Sequence, residues 1–299
     1  MGKNRVINSK EHIDKNISET AGFVTYFRAC SNKERKLKGP DYLAKEFHIG
    51  SAKLKLNLSP FLLLLLKKYI PGTYEWVASR TFLFDKIFKE ALTHNFNQIV
   101  IMGAGFDSRA YRFINYIKNT RIFEVDVAPT QEIKKKILKD KNINIPDEMQ
   151  FVSVNFNKDN LGDRLFKSGF QKGKKNLFIW EGVTEYLTED AVDSTLTFIK
   201  NNSIGKSIIA FTYIYREVIE GNYKYYGSKK IVNLVSKYGE PYRFGIPEGG
   251  INKFLRKWGF NLIKNYTPEE LEKLYLIFGN GKSFGKISGH QCAVIAEVL

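Results

Sequence analysis

After Asn97 the chain changes rhythm, and that change limits its fold more than any other feature of the sequence. Short continuous apolar runs, expected as strands near residues 98–102, 121–125, 150–154, 176–180 and 207–213, begin to alternate with helical stretches near 109–116, 129–140, 160–168 and 189–202. A strand that is apolar on both faces must be covered on both faces. The alternation therefore specifies an α/β fold, doubly wound around a mostly parallel sheet. A helix near 249–258, a strand near 260–264, a helix near 268–278 and a last strand near 290–298 complete the pattern.

The flanking segments read differently. Between Ser18 and His94 apolar residues recur at spacings of three and four, as in Phe23, Tyr26, Phe27 and Cys30, with Pro60 placed to open a helix and Pro71-Gly72 to stop it. The stretch 74–94 is too apolar for an exposed helix and should lie against the fold. Residues 215–238 are helical and aromatic-rich and interrupt the alternation. The chain is thus expected to form one domain over 1–299, with a helical cap at 18–94, a core at 97–214, an insertion or lid at 215–245 and a completing segment at 246–299.

Composition closes several other readings. A hydrophobic fraction of 43% excludes a disordered chain. Cys30 and Cys292 stand far apart with no CxxC or Cys/His spacing, which argues against a disulfide framework and a metal site. The longest apolar run, Phe61 to Leu66, is far short of the ~20 residues that span a bilayer. A charged N-terminus without an apolar stretch does not resemble a secretory signal, so a soluble cytoplasmic protein, monomer or homodimer, is expected. The formal charge is +16, but the lysines are spread along the whole chain rather than gathered into a stripe, so nucleic acid is not the first partner expected.

The chemistry-bearing residues cluster where the first strand ends. Gly103-Ala104-Gly105 lies at a strand-to-helix turn, with Asp107 just beyond, and the absence of side chains there lets a ligand lie against backbone. About twenty residues on, the second strand ends in Glu124-Val125-Asp126, whose two carboxylates share one strand face and suit the hydroxyls of a ribose. A dinucleotide fingerprint would require a third glycine, but Ser108 stands at that position. S-adenosylmethionine has no pyrophosphate to cradle and fits this turn better than a nicotinamide cofactor.

Four ordered blocks then resemble the leucine carboxyl methyltransferase family, which includes bacterial polyketide carboxyl O-methyltransferases of the tetracenomycin type. They are Trp76-Val77-Ala78-Ser79-Arg80-Thr81, the run from Gln98 to Arg112, Phe123-Glu124-Val125-Asp126, and Trp180-Glu181-Gly182-Val183-Thr184-Glu185-Tyr186-Leu187. The resemblance implies a class I methyltransferase fold, with seven strands and the last antiparallel, and S-adenosylmethionine as cofactor. It also implies that Arg80 binds the methionine carboxylate, Gly103 contacts the cofactor, Asp126 holds the ribose and Glu181 sits beside the cofactor. An Asp-plus-apolar pair that meets adenine in the family corresponds here to Asn155-Phe156, an uncharged departure that should weaken that contact.

A small-molecule O-methyltransferase is the leading expectation, with a carboxylate or hydroxyl as acceptor. A carboxylate needs no general base, and His12, His48, His94 and His290 form no recognisable cluster. Arg28, Tyr186 and Tyr213 are the candidates for positioning the acceptor. A protein-terminus or tRNA modifier and a noncatalytic S-adenosylmethionine-binding protein are the alternatives.

Overall fold

The computed structural model describes residues 19–47 and 59–299; His12 and His48 lie outside them. Three helices precede the sheet: α1 (Glu19–Lys33), α2 (Ser59–Tyr69) and α3 (Thr73–Thr93). Then β1 (Gln98–Met102), α4 (Arg109–Arg112), β2 (Arg121–Asp126), α5 (Ala128–Asp140), β3 (Met149–Ser153), α6 (Leu161–Lys167), β4 (Asn176–Trp180), α7 (Glu189–Asn202) and β5 (Ile208–Ile214) follow in alternation. The chain goes on through α8 (Arg216–Ile219), α9 (Ser228–Lys237), α10 (Ile251–Lys257), β6 (Phe260–Tyr266), α11 (Pro268–Tyr275) and β7 (Gln291–Val298).

The seven strands lie in the order β3-β2-β1-β4-β5-β7-β6. β1 to β5 run parallel, while β7 enters antiparallel between β5 and β6. Every residue of β1 and β4 is buried, as continuous apolar runs require when both faces of a sheet are covered. One face packs on α1 and α3 through residues such as Phe27, Phe84 and Phe88, and the other holds Phe123, Phe170, Phe178 and Trp180. α3 buries fifteen of its 21 residues, which is why its sequence is too apolar for a surface helix.

Local chemistry fixes the element ends. Thr188 caps α7 by accepting from the Ala191 amide, and Thr267 with Glu270 forms a capping box on α11. Two expected helices are shorter than the pattern suggested. The stretch 109–116 is a single α-turn followed by a 3₁₀ turn at Ile114–Tyr116, and the segment 215–238 breaks into α8 and α9, with Gly227 in the left-handed region before α9. Among the described residues no helix is long and apolar enough to cross a membrane.

Candidate functional site

β1 lies between β2 and β4, so connections leave it in opposite directions and a crevice opens beyond the carboxyl ends of these strands. A cavity of about 220 Å³ occupies it. The Gly103-Ala104-Gly105 turn and Asp107 beyond β1, Asp126 at the end of β2, Asn155 and Phe156 beyond β3, and Glu181 beyond β4 all line it. Arg80 reaches it from α3 and Tyr186 from the 3₁₀ turn Thr184–Tyr186. Its roof is one face of α1, where Thr20, Val24 and Arg28 recur every four residues, together with the loop 239–243.

The glycine turn is shaped by two constraints. Gly103 has φ +64, and a Cβ there would come within 2.4 Å of Val183, so any larger residue would push the turn off the β4 loop. Gly105, at φ +46, meets nothing nearer than 4.0 Å and leaves backbone open to the cavity. Asp126 holds the turn in place: one carboxylate oxygen accepts from the Gly105 amide and the other from the Val127 amide, both at 2.7 Å. Burial raises its pKa while these amides oppose the rise. Each oxygen keeps a lone pair that can accept from a hydroxyl.

The opposite flank is built from charge. Arg28 Nη2 and Arg80 Nε each lie 2.9 Å from one oxygen of Glu181, and Arg109 Nη1 lies 2.8 Å from the other. Burial works to raise the Glu181 pKa, yet the three guanidinium groups hold it down to about 2. Arg109 also pairs with Asp85 and Asp107, and Arg112 with Asp85 and Asp41. Gly182 makes room for this packing, since a Cβ there would lie 3.0 Å from both terminal nitrogens of Arg80. The Nε of Arg28 is buried with no hydrogen-bond partner among the described residues, so this cavity-lining arginine keeps donor capacity for an anion, while the Nε of Arg80 faces Glu181.

Two expected site residues do not reach the cavity. Glu124 shares a strand face with Asp126 but sits one pleat back, inside the fold, where Lys134 of α5 pairs with it at 2.6 Å and Tyr111 donates to it at 3.2 Å. Burial raises its pKa to about 7 against the pull of Lys134. Tyr213 is buried on β5 with its hydroxyl 3.1 Å from Asn265, in the core rather than at an acceptor. Two others are in place but already engaged. The Asp107 carboxylate accepts from the Arg109 amide and pairs with its guanidinium, and the Asn155 side-chain oxygen accepts from the Asn157 amide. Phe156 packs against Trp180 and faces the cavity as an apolar wall.

Sequence reasoning missed Arg109, Gly182 and the loop bearing Glu240. Arg109 stood inside the quoted block from Gln98 to Arg112 and, beyond neighbouring Asp107, carried no visible sign of its two distant acidic partners, which lie 24 and 72 positions away in Asp85 and Glu181. Gly182 stood inside the fourth block, where its proximity to acidic Glu181 was the only available signal.

Residues 23–200, more than half of the sequence, match the pattern of the leucine carboxyl methyltransferase family. The chain belongs to that family. A Bacillus subtilis relative, described provisionally as an S-adenosyl-L-methionine-dependent methyltransferase, is 28% identical over 66% of this chain and 64% of its own length, so over a third of it lies outside the match. A crystal structure of a DUF574 family protein from Streptomyces avermitilis superposes with a TM-score of 0.65 at 9% identity, covering 96% of this chain and all of that one. A Thermobifida fusca protein described provisionally as a methyltransferase superposes at 0.56 with 12% identity, over 92% of this leucine carboxyl methyltransferase family chain and 94% of its own. These two show a common fold, the seven-stranded class I methyltransferase sheet. The expectation of S-adenosylmethionine as cofactor agrees with the relative's description.

Proposed function

We propose that this chain is an S-adenosylmethionine-dependent O-methyltransferase that esterifies a carboxylate of a small molecule. The observation that carries the reading is one cavity joining an open glycine turn, a carboxylate with spare lone pairs and two arginines. These residues fit the cofactor: Asp126 would hold the ribose hydroxyls, Val154 and Phe156 would flank the adenine, and Arg80 would take the methionine carboxylate. When bound, S-adenosylmethionine supplies an electrophilic methyl group on a sulfonium.

The protein's own part is alignment and the exclusion of water. α1 and the loop 239–243 roof the cavity, and Thr20 donating to Glu240 ties the two together. Arg28, which pairs with Glu181 and lines the cavity, would orient an anionic acceptor. No histidine lines the cavity among the described residues, and a carboxylate acceptor, already ionised near neutral pH, asks for none.

The test is incubation with methyl-labelled cofactor and a fractionated cell extract, followed by mild alkali. Label in the small-molecule fraction that is released by base is the expected result. Base-stable label would overturn the ester, and label in protein or RNA would overturn the acceptor class.

A further inference from the structure

Glu240 differs from every other carboxylate that faces the cavity. Glu181 answers three arginines, Asp107 answers Arg109, and Asp126 answers two backbone amides. The Glu240 side chain makes one hydrogen bond, from the hydroxyl of Thr20, and among the described residues no cation pairs with it. Its position is nonetheless set by the fold. The amide of Gly239 donates to Ser236 and that of Glu240 to Val235, which is the 5→2 and 6→1 pair of a Schellman motif ending α9, with Gly239 at φ +77. Downstream, the Arg243 and Phe244 amides donate to the Glu185 carbonyl, so the loop is pinned at both ends. Among the described residues Glu240 thus stands at the roof of the cavity with no cation paired to it.

An acceptor that carries both a carboxylate and an ammonium group would complement Glu240 as well as the arginines that line the same cavity, Arg28 and Arg243 among them. Resting on the methyltransferase reading above, we infer that the acceptor is an amino acid-like zwitterion, whose ammonium group is received by Glu240 and Thr20 while its carboxylate lies toward Arg28. The apolar lining at that end, from Ala21, Val24 and Pro241, suits an uncharged side chain on such a molecule. Glu240 is then a specificity-determining residue: it selects the amine, and the carboxylate that receives the methyl group is oriented by the arginine.

The experiment uses the full chain saturated with S-adenosylhomocysteine and measures by calorimetry the binding of phenylalanine and of 3-phenylpropanoate, which lacks the ammonium group. Phenylalanine should bind at least tenfold more tightly, and Glu240→Gln should collapse that preference to near unity with S-adenosylhomocysteine affinity unchanged. Equal binding of the two probes, absence of binding by both, or a preference that survives in Glu240→Gln overturns the inference while leaving the methyltransferase reading standing. Failure of S-adenosylhomocysteine itself to bind brings down that reading and the inference with it. Thr20→Val, which removes only the hydroxyl partner, should retain a preference for phenylalanine, and its complete loss would point to collapse of the roof rather than charge recognition.

Discussion

The two flanks of the cavity are made by opposite means. On the β1–β2 side, Asp126 is held by backbone amides, so its place follows from main-chain geometry and its lone pairs remain for a ligand. On the β4 side, Glu181 is held by three side-chain cations drawn from α1, α3 and α4, so its place depends on partners from distant parts of the chain. A site fixed by backbone tolerates the loss of a side chain. A site fixed by mutual charges does not, because removing one member leaves the others buried and uncompensated.

The sharpest way to break this contrast is Glu181→Ala, which leaves Arg28 and Arg80 without their carboxylate and takes one of three from Arg109, and should cost about 3–5 kcal/mol of stability in chemical denaturation. A loss below 1 kcal/mol would mean that the cluster is solvated. Acid should reach the same pair of flanks differently. With a folded pKa of about 2 against an ordinary 4.5, Glu181 contributes stability that is complete above pH 4.5 and lost as pH falls toward 2. The unfolded chain takes up the proton first, and the span is worth about 3 kcal/mol. His290, whose pKa burial lowers to about 3, sheds stability from pH 6.5 downward, so the Glu181 share is read from the difference between wild type and Glu181→Gln below pH 4.5. Identical pH profiles would remove the argument.

Smaller effects sharpen the comparison. Arg80→Ala should weaken cofactor binding by about 2 kcal/mol, roughly thirtyfold, and Arg80→Lys should not restore it because the two-pronged donor geometry is gone. Calorimetry with S-adenosylhomocysteine checks this, and unchanged affinity would assign Arg80 to structure alone. Glu124→Gln should leave cofactor affinity within about 0.5 kcal/mol, in contrast to Asp126→Ala, since Glu124 is answered by Lys134 inside the fold. Any larger shift for Glu124→Gln would show that the β2 carboxylates act together.

What could be read from sequence followed the range of the forces involved. β1, β4 and α7 have the limits expected of them, because continuous apolar runs and a Thr cap are local signals. The residues of the cavity floor were also found, since turn glycines and strand-end acids carry their chemistry at fixed offsets. The failures share one cause. That Glu124 turns to Lys134, that Arg109 reaches Glu181, and that Glu240 comes to face Thr20 are outcomes of packing between segments up to 220 residues apart, and no periodicity encodes them. The 215–238 stretch was read as helical throughout because its aromatic residues hid the break before Gly227.

The place of β7 in the sheet has a consequence for how the molecule is made. Among the described strands β6 pairs only with β7, and β7 is the later of the two to leave the ribosome. During translation β6 therefore emerges with no edge to join, its buried Phe260 lacking a home until the following segment inserts beside β5. Closure of the sheet therefore waits for β7, and the nascent chain must shelter one unpaired strand until it inserts.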